Sequence, residues 1–229
     1  MRVSDPTYHT LRRLHSLSGV VPVGAFLLEH LITNSFAIQG AEKFNQAAAD
    51  IGSIPYVILV EIVGIALPIL FHMVLGVIIA TTMQANLGRH GYPRNWSYVL
   101  QRVSGLFLVA YITYHVWSTR FSPEILSGDR DMFGLMHRHL QNPGILVFYI
   151  LGVVSAAYHF GNGLFGFSIH WGIATGKQAQ RHAARLAFAV FVVLSLVGVN
   201  SLLAFIGKNV TWFHKTAETT ASHVVENAR

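Results

Sequence analysis

Five long apolar segments constrain the fold of this chain more than any other feature. They cover roughly residues 16–37, 56–83, 97–120, 144–172 and 186–207. Each segment reaches or exceeds the ~20 residues with which a helix crosses a bilayer. Charged residues make up 11% of the sequence, well below the roughly 25% that is usual in soluble domains. The sequence therefore predicts an all-α integral membrane protein with five transmembrane helices, of which the first four form a bundle.

The rest of the composition limits what else the chain can be. Residues 1–207 are predicted to form a single membrane domain, and residues 208–229 a polar C-terminal tail. The sequence has no cysteine, which excludes disulfides and cysteine-bound metal or iron–sulfur centres within this chain. The net charge of +6 comes largely from Lys and Arg in the short segments between the helices. Membrane topology explains charges in such places better than binding of nucleic acid does.

Lys and Arg also predict the orientation of the chain. They are most concentrated at the N-terminus and in segments 84–96 and 173–185, where Asp5 is the only acid. Short cytoplasmic loops of membrane proteins are enriched in these residues. The N-terminus is therefore expected in the cytoplasm, and the C-terminus outside.

One histidine lies inside each of the first four apolar segments: His30, His72, His115 and His159. An ionisable side chain is costly in hydrocarbon unless a partner or a ligand compensates it. At ~1.5 Å per residue from the outer segment ends, His30 and His115 lie about 9 Å deep and the other two about 23 Å deep. The four histidines thus form two levels, each with two histidines from different helices.

Two imidazoles that face each other at one depth suit the two axial positions of a haem iron. The outer level would bind one haem through His30 and His115, and the inner level a second haem through His72 and His159. Zinc normally takes four ligands close together, which two separate pairs do not provide. Two histidines fill both axial positions of the iron, which favours electron transfer over oxygen binding.

Small residues accompany the inner pair. Gly76 follows His72 by one helical turn, and Gly163 follows His159 in the same way. Residues of this size let helices, or a flat cofactor, approach closely.

The first and third apolar segments also share a weak sequence echo. Ser18-Gly19 precedes His30 by nearly the same distance as Ser104-Gly105 precedes His115. The echo is consistent with the remnant of an internal repeat.

Histidines in membranes have other common roles. A single one often forms a hydrogen bond between helices, or belongs to a proton relay. The other histidines lie at segment ends, in loops or in the tails, and most are expected to be solvated or to face lipid headgroups: His9, His15, His90, His137, His139, His170, His182, His214 and His223.

Three arginines lie near the expected inner level: Arg12, Arg13 and Arg102. They could hold the carboxylates of the inner haem, because Arg pairs well with carboxylate. Anchoring to anionic lipid at the cytoplasmic surface is the alternative.

Two acids, Glu29 and Glu61, lie inside the apolar segments. An acid at membrane depth is a candidate proton carrier, and Glu61 near the outer level could pass protons to a quinone reduced there. The alternative is a carboxyl group close enough to the boundary to reach water.

The residues around the four histidines resemble a known family. The matching stretches are R-R-L-H-S-L-S-G-V-V-P-V-G from Arg12, H-L-I-T-N from His30, F-N-Q-A-A-A from Phe44, R-N-W-S-Y-V-L-Q-R-V-S-G from Arg94, H-V-W from His115 and Y-H-F-G-N-G-L around His159. In these stretches, which are spread over most of the chain, the sequence resembles the five-helix, di-haem cytochrome b anchors of succinate:quinone oxidoreductases. The resemblance is to the cytochrome b558 type of Gram-positive bacteria.

The resemblance implies a place in a respiratory complex of the bacterial cytoplasmic membrane. The chain would anchor a flavoprotein (FAD) subunit and an iron–sulfur subunit on the cytoplasmic face and bind two haem b groups. Electrons from succinate would pass through the flavin, the iron–sulfur clusters and both haems to menaquinone. The family places the His72–His159 haem near the soluble subunits, and a quinone near the distal haem, which agrees with Glu61 as a quinone-site residue. An amide stands in the family where this chain has Glu29.

Three alternatives stay open beside this interpretation. Fumarate reductases use the same kind of anchor, so the sequence does not fix the direction of electron flow. The b-type anchors of hydrogenases and formate dehydrogenases typically have four spans and a different placement of histidines. A haem-free proton channel or transporter would use the same His and Glu residues, but five spans without inverted halves argue against it.

Overall fold

A computed structural model of the chain describes residues 5–82 and 91–211. The regular structure in these two ranges is helical, without strands. The α-helices are α1 Asp5–Val20, α2 Pro22–Ser35, α3 Ala41–Gly52, α4 Val57–Val60, α5 Leu67–Thr81, α6 Pro93–Ser118, α7 Pro123–Leu126, α8 Met132–Leu140, α9 Pro143–His170 and α10 Lys177–Ala204. A 3-10 helix at Phe36–Gln39 follows α2, and a π-helical turn at Glu61–Ala66 joins α4 to α5.

Five helical stretches are long and apolar enough to cross a membrane: Thr7–Gln39, Val57–Thr81, Pro93–Ser118, Pro143–His170 and Lys177–Ala204. They are called spans one to five below. The prediction of an all-α integral membrane protein with five spans is confirmed. Most of the predicted tail, the segment 83–90 and several histidines lie outside the described residues: His90, His214 and His223.

Spans one and five begin earlier than hydropathy predicts. Span five starts at residue 177 instead of 186, and its first turns include Lys177, Arg181 and Arg185. Charged residues lower the local hydropathy, but Lys, Arg, Gln and Ala are all good helix formers. The helices therefore extend beyond the apolar segments.

Span one is divided at Pro22. Val21 lies between α1 and α2 with a ψ of −72°, and Pro22 is the first residue of α2. Proline has no N–H with which to continue the helical hydrogen bonds, and its ring clashes with the preceding turn. α1 packs mainly against α5 and α9, whereas α2 packs mainly against α10.

Spans four and five pack closely along most of their length. A side chain at Gly161 of α9 would place its Cβ 2.7 Å from the carbonyl oxygen of Ala187 in α10. Small residues allow such close approach between helices in membranes. Span five also packs against α2, and it supplies none of the four predicted ligands.

Two helices that hydropathy does not predict cover one end of the bundle. Phe44 of α3 is 5% exposed and packs edge-on against Phe205 at 5.0 Å between ring centroids. Asn45 of α3 donates to the Asp131 carboxylate and accepts from the N–H of Phe133 in α8, each at 2.9 Å. Both helices are too short and too polar to span a bilayer, and each buries one apolar face.

Asp131 begins α8. Its carboxylate accepts the N–H of Gly134 at 2.9 Å, so it caps the helix. The bond from Gly134 and the amide of Asn45 hold the pKa of this carboxyl below its usual value, because both donors favour the charged form.

The apolar surface of span two is largely uncovered. Its most apolar stretch has no buried residue, and Ile58, Leu59 and Val63 are about half exposed or more (62%, 60% and 56%). A continuous apolar surface of this kind fits contact with lipid.

Candidate cofactor site

The rings of His72 and His159 lie next to each other between spans two and four. Their centroids are 6.1 Å apart, and the ring planes are almost perpendicular at 89°. Both side chains are partly buried. The prediction from depth thus agrees with the placement of these two residues, whose role remains a prediction.

Span one holds the ring of His72. The Nδ1 of His72 donates to the backbone oxygen of His15 at 3.0 Å and lies 3.2 Å from the Oγ of Ser18. Gly19 completes this contact, because a Cβ at position 19 would collide with the Cε1 of His72. Ser18, Gly19 and the His15 carbonyl together define where the ring can lie.

Span three holds the ring of His159 in the same way. The Nδ1 of His159 donates to the backbone oxygen of Gln101 at 3.0 Å and lies 3.2 Å from the Oγ of Ser104. A Cβ at Gly105 would stand 2.8 Å from the Cε1 of His159. The sequence similarity between Ser18-Gly19 and Ser104-Gly105 therefore corresponds to the same contact made twice. Each Ser-Gly pair contacts the histidine of the span that follows its own.

These hydrogen bonds fix the tautomer of both rings. A carbonyl oxygen only accepts, so Nδ1 must be the protonated nitrogen of His72 and of His159. In a neutral imidazole this leaves the lone pair on Nε2. A bond from Nδ1 to a backbone carbonyl is a common support for a metal-binding histidine, because it fixes the ring and raises its basicity.

His15 is a third histidine at this place. Its ring stacks on that of His72 with the centroids 3.9 Å apart and an angle of 15°. Gly76 leaves the space for it, since a Cβ at position 76 would stand 3.0 Å from the Cε1 of His15. The prediction that the histidines outside the four are solvated is wrong for His15. In the sequence, His15 precedes Ser18 by three residues, as Gln101 precedes Ser104, and this shared spacing could have indicated its place beside His72.

His30 and His115 form the second pair, between α2 and span three. Their ring centroids are 5.7 Å apart with an angle of 78°. Tyr111 lies nearly parallel to His115 at 5.8 Å, and the ring of Tyr149, which is 1% exposed, meets it edge-on at 5.7 Å. Within the described ranges, the buried Nδ1 of His115 has no hydrogen-bond partner. Aromatic rings surround the pair of His30 and His115, whereas hydrogen bonds to polar groups hold His72 and His159.

His72 with His159 and His30 with His115 are the two pairs of candidate ligands in the described part of the chain. No group of three or more His, Cys, Asp or Glu side chains converges there. Structural zinc normally needs four such ligands. Two imidazoles on opposite sides of one metal fit a different centre, in which a macrocycle fills the other positions.

The three predicted arginines differ in their surroundings. The Arg102 guanidinium lies 3.5 Å from the Tyr98 ring centre and donates to the Tyr98 carbonyl at 3.0 Å. Its buried Nε has no partner among the described residues. Arg12 lies within electrostatic range of Arg102, and Arg13 lies over the ring of Trp171 at 4.4 Å. Arg102 and Arg12 thus place two positive charges near each other.

Glu61 pairs with Arg120 across spans two and three, at 3.0 Å. Both side chains are partly exposed, at 39% and 49%. Glu61 is the first residue of the π-helical turn, an irregularity that is frequent at functional sites. An apolar cavity of about 480 Å³ that is open to the surface is lined by nearby residues of the chain, which include Tyr56, Ile58 and Ile62. Glu29, by contrast, lies on an exposed face and accepts a hydrogen bond from Thr33.

Known proteins are similar in sequence to this chain. Residues 81–199 match the family described as "Succinate dehydrogenase/Fumarate reductase transmembrane subunit", which is just over half of the chain. The chain belongs to this family. The succinate dehydrogenase cytochrome b558 subunit of Bacillus subtilis (strain 168) is 45% identical over 195 residues, covering 85% of this chain and 96% of that protein. No solved structure matches the chain significantly.

Membership of the succinate dehydrogenase/fumarate reductase transmembrane subunits confirms the predicted family. The chain is a cytochrome b-type membrane subunit of such an oxidoreductase. The matched segment includes His115, His159 and Ser104-Gly105 and begins after His72. The similarity to the Bacillus protein extends over a longer part of the chain than this segment.

Proposed function

We propose that this subunit binds two b haems and transfers electrons from an iron–sulfur subunit to menaquinone. His72 and His159 would hold one haem, and His30 and His115 would hold the other. When bound, each haem iron supplies one-electron transfer. A flavoprotein subunit and an iron–sulfur subunit bind on the cytoplasmic face, where the N-terminus lies, and the C-terminus lies outside.

The observation that carries this proposal is the spacing and tautomer of the histidine pairs. Metal–imidazole bonds of roughly 2 Å on both sides of one ion separate the two ring centres by about 6 Å. The observed separations are 6.1 Å and 5.7 Å. The bonds from Nδ1 leave the Nε2 lone pairs of His72 and His159 free for iron. The residues present therefore fit the haem that the cytochrome family implies.

The arginines fit the acidic edge of the same group. Haem has two propionate carboxylates, and a guanidinium binds carboxylate through charge and paired hydrogen bonds. Arg102 has a buried Nε without a partner in the described chain, and the Arg12 charge lies near it. We assign Arg102 and Arg12 to these carboxylates, with Arg13 beside them on Trp171.

Glu61 and its cavity are the proposed quinone region. Reduction of a quinone to a quinol takes up two protons, so a carboxyl group beside the quinone can deliver them. Glu61 is partly exposed. The open cavity lined by its sequence neighbours is apolar, which suits a hydrophobic quinone better than a charged substrate. Arg120 pairs with Glu61 at 3.0 Å and so holds the carboxylate in place.

Haem binding is tested on the purified complex. A reduced-minus-oxidised spectrum is expected to show b-type α-bands, with about two haems per chain by pyridine haemochrome. His72→Ala is expected to remove one haem and largely spare the other, and His182→Ala, at an exposed position of α10, is expected to keep both. Absence of haem from the wild-type complex would refute the proposal.

The direction of electron flow needs a separate measurement. We propose succinate oxidation, since the Bacillus relative is a succinate dehydrogenase subunit. The family also includes fumarate reductases, which would run the same electron path in reverse. Steady-state rates of the membrane-bound complex with succinate and a menaquinone analogue, against quinol and fumarate, distinguish the two.

A further inference from the structure

The two halves of the bundle repeat one another around the His72–His159 pair, with one substitution. His72 and His159 each donate to a backbone oxygen three residues before a serine, and each ring lies against the glycine that follows that serine. In each half, a glycine one turn after the histidine faces the side chain of the residue that supplies the carbonyl. This residue is His15 in one half and Gln101 in the other.

Gln101 uses its side chain for hydrogen bonds. Its Nε2 donates to the backbone oxygen of His159 at 3.1 Å, and its Oε1 accepts from Asn162 at 2.8 Å. Its side chain lies 3.8 Å from the Cβ position of Gly163, an ordinary contact. The amide is thus tied to the backbone of α9, and the face of the His159 ring receives no aromatic contact from it.

His15 uses its side chain for contact with the ring itself. Its imidazole lies parallel to that of His72 at a centroid distance of 3.9 Å. Its buried Nδ1 has no hydrogen-bond partner in the described ranges. The stacking contact with His72, the slot at Gly76 and an interaction of the ring with the His72 backbone locate this side chain.

We propose that His15 is a positioning residue that fixes the plane of the His72 ring by stacking on it, and so makes the two histidines of this pair inequivalent. Rotation of the His72 ring about its Cβ–Cγ bond would carry it into the parallel ring of His15. The Nδ1 bond to the His15 carbonyl limits the same rotation from the other direction. His159 has the hydrogen bond but lacks the stacking partner.

This inference rests on the proposed haem ligation, because a ring plane is observable through the metal that the ring binds. The ferric low-spin electron paramagnetic resonance line of a bis-histidine haem depends on the angle between its two imidazole planes. That angle is 89° for His72 and His159. A variant that frees one ring changes the line of this haem and leaves that of the His30–His115 haem unchanged.

The test uses the intact complex with His15→Gln, which copies the residue found in the other half. We expect both haems to be retained and the line of the His72–His159 haem to shift or broaden, with the second line unchanged. His72→Ala identifies which line belongs to which haem. His182→Gln, the same chemical change at an exposed site, is the matched control and should leave both lines as in the wild type.

His15→Phe separates stacking from hydrogen bonding. Phenylalanine keeps a flat ring over His72 without ring nitrogens, so the His15→Phe complex should show the same line as the wild type. If His15→Gln loses a haem, His15→Phe should retain it. A His15→Phe complex that is changed as much as His15→Gln would overturn the proposal, as would two unchanged lines in His15→Gln or equal changes in both haems. Wild-type complex without haem would instead refute the proposed function, and the two failures are therefore distinguishable.

Discussion

Gly105→Ala tests the histidine-holding contact of span three with a single methyl group. The new Cβ would stand 2.8 Å from the Cε1 of His159 and 3.4 Å from its Nδ1. Carbon atoms pack at about 3.5 Å or more, so the ring must retreat by roughly 0.7 Å. Metal–ligand distances in a working site vary by only about 0.2 Å. The ring could keep the proposed bond to iron only if spans three and four separate.

The cost of that separation sets the expected size of the effect. Inserting a methyl group into a packed contact costs about 1–3 kcal/mol, which corresponds to roughly a 5- to 150-fold loss of haem affinity. The loss should be confined to the haem of His72 and His159, because His115 lies ten positions further along the same helix than Gly105. Gly19→Ala should act in the same way and more strongly, since its Cβ would come still closer to His72.

The assay is the haem-to-protein ratio of the purified complex, measured together with the reduced-minus-oxidised spectrum. Gly163→Ala is the matched control, because its Cβ would meet the nearest atom at 3.8 Å, which is ordinary contact. We expect Gly163→Ala to hold both haems and Gly105→Ala to have a lower haem-to-protein ratio than the wild type. If Gly105→Ala kept both haems with an unchanged spectrum, or Gly163→Ala lost as much as Gly105→Ala, the glycines would not be the space that positions these rings.

Three further predictions concern other parts of the chain. Asp131→Ala should lower stability by about 1 kcal/mol at neutral pH. The pKa of Asp131 is depressed in the folded state. The stabilisation of the fold by this carboxylate is therefore present above the ordinary Asp pKa near 3.9, and it is lost as the pH falls through the folded pKa. The melting temperatures of wild type and variant should converge at low pH. Glu61→Gln should slow quinone reduction by about 100-fold while both haems are retained. Arg120→Gln should keep most of the rate. If the Glu61→Gln complex turned over as fast as the wild type, a proton-carrying role of Glu61 would be excluded. Gly161→Ala should lower thermal stability in detergent by about 1–3 kcal/mol, since its Cβ would stand 2.7 Å from a backbone oxygen of span five, whereas Gly166→Ala, with open space around it, should not.

The sequence was sufficient for the five spans, and it also predicts the levels of the histidines. Hydropathy predicts five membrane helices because the bilayer demands long apolar segments. A constant rise per residue then places His72 level with His159, and His30 level with His115. The quoted motifs predicted the family, which the comparisons confirm.

Other features depend on how the helices are rotated and packed, which hydropathy does not report. His15 lies at the end of an apolar segment, where a histidine normally reaches water, yet α1 turns it onto His72. The ion pair of Glu61 with Arg120 joins residues from distant parts of the sequence. Helices α3 and α8 are amphipathic and short, so their apolar faces become visible only where they cover the end of the bundle.

The exchange of contacts between spans has a consequence for biosynthesis. Span one supplies one proposed ligand, His30. It also holds the proposed ligand of span two, His72, through Ser18 and Gly19. The N-terminal half of the chain thus contains only one ligand for each proposed haem, and the partners His115 and His159 are synthesised later. A ribosome-bound chain that has inserted two spans cannot yet complete either iron centre. The proposed centre of His30 and His115 should therefore become competent after insertion of the third span, and that of His72 and His159 after insertion of the fourth.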